Sequence, residues 1–186
     1  MPHIHTQPNQ HDMTVSMYII RKVDDDWKCL IHMHRRLGVL MQIGGHIETD
    51  ETPWQTVAHE LTEESGYTLA ELEVLQPSRV RQVRGAVVHP VPCLVNTHNA
   101  GPGPHYHSDL CYVFVAKDIA KQDPSDGESS DIRWMTPAEM KGHTGEKVLG
   151  DVIDIYETIL DEFADTYQYV PATMFSLEKP VNYFGF

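Results

Sequence analysis

Apolar positions along this chain follow two periods, and the change from one to the other predicts its elements. SMYIIRK (16–22) and KCLIHMHR (28–35) are β-rich runs separated by VDDDW, the pattern of a hairpin. GVLMQIGG (38–45) reads as a short extended run ending in a glycine turn. The period then becomes helical: Trp54, Val57, Ala58, Leu61 and Ser65 have the i, i+3, i+4, i+7 spacing of a buried stripe. Thr52 is the expected N-cap, Pro53 the first helical residue, Gln55 the capping-box partner and Gly66 the stop. Downstream, LEVLQ (72–76), RVRQVRG (79–85), VPCLVNTH (91–98), DLCYVFVAK (109–117) and IRWM (132–135) read as strands, with loops at 99–104 and 123–131. Pro137 opens a small helix. In the segment 148–164, Val148, Val152, Ile155, Ile159 and Phe163 recur at helical spacing. Neither a repeat nor a linker divides the chain, so one α/β domain is expected.

Composition narrows the class. With 186 residues, 41% hydrophobic and 22% charged, the chain suits a soluble domain with a substantial core. A formal net charge of -13 argues against a nucleic-acid binder, which presents a basic face. No segment has the length of a membrane span, and the polar start lacks the apolar run of a signal peptide, so a cytoplasmic protein is expected. Cys29, Cys93 and Cys111 form no CxxC pair and read as free thiols of a reducing compartment. Residues 1–12 read as a polar arm whose His3, His5 and His11 are incidental. Residues 166–186 carry Tyr167, Tyr169, Phe175, Tyr183, Phe184 and Phe186. These are expected to pack on the domain, with a homodimer contact as the sharper alternative. Residues 13–165 remain as the domain.

Charge placement raises the functional question. Glu60, Glu63 and Glu64 crowd the end of the helix before Gly66, beside carbonyls that disfavour anions by about 0.3–1 kcal/mol each. Glu60 and Glu64 also repel as an i, i+4 pair. At about 100° per residue the three lie roughly 115° from the apolar stripe. A solvated acidic face is the ordinary explanation of such a run. A hard divalent cation gives another, because clustered carboxylates are what Mg²⁺ or Mn²⁺ needs. Gly44-Gly45 would let a backbone carbonyl join them.

The stretch from Gly45 to Tyr67 resembles the signature of the Nudix hydrolases. Gly45, Glu51, Glu60, Glu63, Glu64 and Gly66 stand at the family's spacing, and the order of elements is similar over roughly residues 14 to 165. The resemblance implies an α/β/α sandwich around a mixed β-sheet. It implies metal-dependent hydrolysis of a nucleoside diphosphate linked to another group: a nucleotide sugar, a dinucleotide or a nucleoside triphosphate. It makes Glu60, Glu63 and Glu64 metal-binding carboxylates, one of them a base, with a carbonyl of Gly44 or Gly45 in the inner shell. Glu51 would brace the loop. Glu128, six residues before Trp134, is the candidate fourth carboxylate, with Asp126 and Asp131 as competitors. The implied cofactor is Mg²⁺ or Mn²⁺, and the implied partner is a small nucleotide substrate rather than nucleic acid or membrane.

Two positions depart from the family. His59 stands where the family has arginine, and Tyr67 where it has an aliphatic residue. Histidine lacks the guanidinium fork and is only partly charged near neutrality. A Nudix-fold nucleotide-binding module with little or no catalysis is therefore the alternative reading. Beyond the motif, His105, His107 and Asp109 alternate along an extended segment and read as substrate contacts, with zinc-like ligation as a second option. His46 is similarly ambiguous. Arg79, Arg81 and Arg84 form a basic island suited to solvent or phosphate.

Overall fold

The computed structural model of the chain describes residues 7–101 and 103–180. Its first two strands, β1 (His11–Val23) and β2 (Asp26–His34), form the expected hairpin. Asp24 and Asp25 turn between them with φ of 49° and 69°, the left-handed pair that matches the twist of a two-residue hairpin. Next come β3 (Val39–Met41) and β4 (Ile43–His46), then α1 (Pro53–Glu60). The later strands are β5 (Leu72–Gln76), β6 (Leu94–Asn99), β7 (Tyr106–Ala116), β8 (Ile132–Met135) and β9 (Gln168–Pro171). Between β8 and β9 lie α2 (Pro137–Lys141) and α3 (Gly150–Thr158).

The sheet is mixed. β1 runs parallel to β7 from His11↔Tyr106 to Ile20↔Val115, and its other side pairs antiparallel with β4 and then with β2. β7 carries β6 and β5, and β9 closes the far edge on β5. β3 and β8 flank β2.

Alternation along β1 divides the core in two. Val15, Met17 and Ile19 face Trp54, Val57 and Leu61 of the first helix. Tyr18 and Ile20 face Val152, Ile153, Tyr156 and Ile159 of the last one. Helices therefore cover both faces of a mixed sheet, an α/β/α sandwich. Burying each such side chain contributes about 1.5–3 kcal/mol, so the two faces hold the sheet between them. Among the described residues no helix is long and apolar enough to cross a membrane. The three cysteines are free.

Several expectations need correction. The first strand starts at His11, because pairing with β7 extends it beyond its apolar run, so His11 and Asp12 belong to the sheet and not to an arm. The run 79–85 is an exposed loop: only Val80 touches the core, Val83 is 56% exposed, and no strand forms. The buried stripe of α3 centres on Val152, Ile153 and Tyr156, with Ile155 and Phe163 at its margin. The C-terminal segment, by contrast, packs on the domain as expected, with Phe175 against Trp54 at 5.7 Å between ring centroids, and Gln168–Pro171 adds a strand to the sheet. His3, His5, Tyr183, Phe184 and Phe186 lie outside the described residues.

Candidate active site

The first helix is fixed at its start as its sequence requires. Thr52 accepts from the Gln55 backbone N–H at 3.3 Å, Gln55 Oε1 accepts from the Thr52 N–H at 2.8 Å, and Pro53 leads. After Glu60 the helix widens into a π-helical turn, Leu61–Ser65, a form that recurs at functional sites. Gly66 ends it with φ 72°, and a Cβ there would meet the Gln122 carbonyl oxygen at 2.0 Å. Glycine is required at this point for both reasons.

This geometry splits the three glutamates. Glu60 and Glu64 turn inward and are only 4% and 7% exposed, while the Glu63 side chain stays 43% exposed at the rim. Glu64 Oε2 accepts from the Gly44 N–H at 3.0 Å. A Cβ on Gly45 would lie 1.9 Å from Glu60 Oε1, so the glycine leaves the space that this carboxylate fills. Glu60 Oε1 is buried without a hydrogen-bond partner among the described residues.

The electrostatics call for a cation. Burial pushes Glu60 up to about 7, with the charges of Glu63 and Glu128 adding to the shift and His59 opposing it. Burial pushes Glu64 up to about 8; the Gly44 hydrogen bond opposes this, and Glu60 and Glu128 reinforce it. His32 gives no compensation. Its Nε2 lies 3.8 Å from Glu64 Oε2, but burial lowers it to about 4 and keeps it neutral near pH 7. An unpartnered buried carboxylate oxygen, a second carboxylate disfavoured as an anion, and a glycine cradle together fit a hard divalent cation.

Around this centre the departures from the motif have clear contacts. His59 Nδ1 is 3.4 Å from Glu51 Oε1, and its Nε2 is 3.0 Å from Glu63 Oε1. Burial by itself would lower this imidazole, but the hydrogen bond to Glu63 and the charges of Glu63, Glu51 and Glu60 raise it above its ordinary value. Glu51 is tied to the helix by the Thr56 hydroxyl at 2.8 Å. Tyr67 buries its ring in the core and donates its hydroxyl to the Asp118 carbonyl at 2.5 Å. Of the late-loop carboxylates, Asp131 is held by Arg133 through both oxygens, at 2.8 and 2.7 Å, and Asp126 is exposed. Glu128 is the one whose charge reaches both buried glutamates.

The remaining sequence candidates lie elsewhere. Arg79, Arg81 and Arg84 are exposed on the loop between β5 and β6. Asp109 is buried, with one oxygen accepting from Thr14 Oγ1 at 2.8 Å and the other from Cys111 Sγ at 3.2 Å, so its carboxylate does not join the two histidines that precede it. His46 and His107 meet each other, Nε2 to Nε2, at 3.2 Å. His32 and Asp12 were not singled out by sequence. The signal for His32 was a polar side chain inside the apolar run KCLIHMHR, whereas nothing in the local pattern marks Asp12.

The profile of the NUDIX domain matches residues 11–154, and the chain belongs to the NUDIX family. Its fold is similar to that of a NUDIX-family hydrolase from Clostridium perfringens, with a TM-score of 0.65, 22% identity, and coverage of 81% of this chain and 96% of that one. It is similar to the NUDIX domain of Shewanella oneidensis NrtR, solved with ADP ribose (TM-score 0.59, 19% identity, coverage 81% and 87%). A third likeness is to a Caenorhabditis elegans Ap4A hydrolase (TM-score 0.54, 15% identity, coverage 82% and 99%). No curated protein matches the chain by sequence.

Proposed function

We propose that this Nudix hydrolase cleaves the diphosphate of a nucleoside diphosphate linked to another group, by water attack at phosphorus, with Mg²⁺ or Mn²⁺ as cofactor. The observation that carries this reading is Glu60 Oε1, a buried oxygen without a hydrogen-bond partner among the described residues, set against the only residue type that leaves it room, Gly45. Glu60 and Glu64 would hold the cation from inside, Glu63 and Glu128 from the rim, with a carbonyl of Gly44 or Gly45 in support. A divalent ion bound there supplies charge to the diphosphate oxygens and lowers the pKa of a water. The chain's own part is to orient these carboxylates and to receive the water proton on one of them. Gly44 fixes Glu64 through its N–H, and His59, set against Glu51, holds Glu63 at the rim. The cation also explains how a chain of net charge -13 could bind a polyanion.

The solved likenesses to proteins named for Ap4A and crystallised with ADP ribose fall within this substrate class. The ion pair of His59 with Glu63 favours the enzyme over a binding module, since the histidine occupies the bracing role expected of an arginine. The test is turnover of a panel of nucleotide sugars, dinucleotides and triphosphates with Mg²⁺ or Mn²⁺ in ¹⁸O-labelled water. Label is expected in a phosphate product of at least one compound. Nucleotide binding without turnover of any compound with either metal would replace the enzyme by the binding module.

A further inference from the structure

A second polar cluster sits on the sheet face opposite the glutamates. Asp12 of β1 lies in register with His107 of β7, and His46 of β4 pairs with Thr14, two residues along β1. Residues 12, 14, 46 and 107 therefore point to the same face as Tyr18 and Ile20, the α3 side. His105 joins them from the segment just before β7. One ligating atom from each of Asp12, His105 and His107 falls within 4.8 Å of the others. Individual separations are tighter: His105 Nε2 to Asp12 Oδ2 is 3.4 Å, His46 Nε2 to Asp12 Oδ2 is 3.7 Å, and His46 Nε2 to His107 Nε2 is 3.2 Å.

Those lengths match a coordination shell. Ligands about 2.0–2.1 Å from a tetrahedral ion stand roughly 3.3 Å apart. Asp12 is 1% exposed, and His46 and His105 both bring Nε2 to its Oδ2. Two or three imidazoles with one carboxylate is also the donor set of a borderline cation, whereas Mg²⁺ takes oxygen.

We propose that Asp12, His105 and His107 form a second, independent metal site for a zinc-type divalent cation, with His46 as the fourth donor. Strands β1, β4 and β7 meet there, so the ion would tie the start of the central strand to the entry of its parallel partner and to the strand that carries Gly44 and Gly45. It does not depend on the hydrolase reading, because no glutamate of the Nudix stretch takes part.

The test is X-ray absorption on the full chain, stripped with chelator and reloaded with one equivalent of Zn²⁺ in millimolar Mg²⁺. The expected spectrum shows at least two imidazole ligands. Zinc surrounded by oxygen alone, or zinc lost on gel filtration, would overturn the proposal without any variant having to fold. Variants then locate the ion. Asp12→Asn and His107→Gln are expected to weaken zinc binding by more than about 100-fold, beyond what loss of an outer partner costs. The double variant Glu60→Gln, Glu64→Gln is expected to bind zinc within about two-fold of wild type with the same imidazole signature. Equal loss of zinc in that glutamate variant would assign the ion to the other face and overturn the proposal.

Discussion

The two faces of the sheet carry two polar centres of opposite construction. On the α1 side, the buried glutamates come from one helix and its π turn, and the glycines that receive them lie less than twenty-five residues away. On the α3 side, aspartate and histidines arrive from three strands and the segment leading into β7, and the neighbouring hydrogen bond from Thr14 to Asp109 spans 95 positions. The first centre is all oxygen and short of positive charge, while the second is mostly nitrogen. Through β4 they are adjacent: Gly45 faces Glu60, and the next residue, His46, faces Asp12. A strand that alternates its side chains can thus serve two chemistries with consecutive residues.

The largest effect expected of any change falls on the glutamate side. Glu64→Gln removes one charge from a 7% exposed position and keeps the Gly44 contact, so the fold should persist. Turnover is expected to fall on the order of 10²–10⁴-fold, the range for a group that handles charge or protons in the transition state. Steady-state rates with Mn²⁺, beside a circular dichroism spectrum of the same sample, check this. Wild-type turnover in the variant would break the distinction between the two faces.

How far each centre was legible follows from its construction. Thr52, Pro53, Gln55 and Gly66 bound the helix where their local chemistry predicts, because capping depends only on neighbours three or four residues away. The glutamate spacing was legible for the same reason. The π turn that carries Glu63 and Glu64 was not. Asp12 escaped because its partners are set by the parallel pairing of β1 with β7, a long-range event with no local signature. Asp109 lies on the face of His107, as alternation puts it, while the hydrogen bonds from Thr14 and Cys111 that occupy its oxygens have no local signature. Arg79, Arg81 and Arg84 alternate with valines as a strand would, yet nothing on the sheet pairs with them.

A smaller change sharpens the comparison at β4. Gly45→Ala would set a methyl group 1.9 Å from Glu60 Oε1, where no real contact can exist, so the carboxylate must swing away. The overpacking is expected to cost about 1–3 kcal/mol of stability. Turnover should fall with it by about 10–100-fold, the cost of displacing a ligand's support. Thermal unfolding and rates on one preparation read both quantities. Unchanged turnover would mean that Glu60 can work from another position.

Acidity gives the third test, in protein stripped of metal. Glu60 and Glu64 have folded-state values raised to about 7 and about 8, above an ordinary carboxylate. The native state therefore binds more protons than the unfolded chain between roughly pH 4.5 and 8, and stability falls as pH rises through that window. The loss is on the order of a few kcal/mol, which is roughly 5–10 °C in Tm for a chain of this size. Glu60→Gln, Glu64→Gln should flatten the curve, and Mg²⁺ should restore stability most strongly at the alkaline end, because metal and protons compete. Differential scanning from pH 5 to 8 measures it. A wild-type curve parallel to that of the double variant would remove the electrostatic basis of the site.

The smallest effect concerns His59, at the rim, where its contacts to Glu51 and Glu63 are partly open to solvent. Its charged form makes the stronger hydrogen bond to Glu63, and its pKa is raised. The bracing is thus complete at low pH and fades as pH climbs through the raised value. Alkaline pH meanwhile favours the deprotonated attacking water, so the two trends oppose each other in the wild type. Arginine would keep its charge throughout. His59→Arg is therefore expected to keep the fold and to gain over wild type mainly above neutral pH, by a few-fold. His59→Ala should lose up to roughly 10-fold at every pH, as for an outer partner of a ligand. The measurement is a pH–rate profile of the three proteins at saturating Mn²⁺. Coincident profiles for wild type and His59→Ala would show that Glu63 needs no brace, and that histidine at this position is neutral to function.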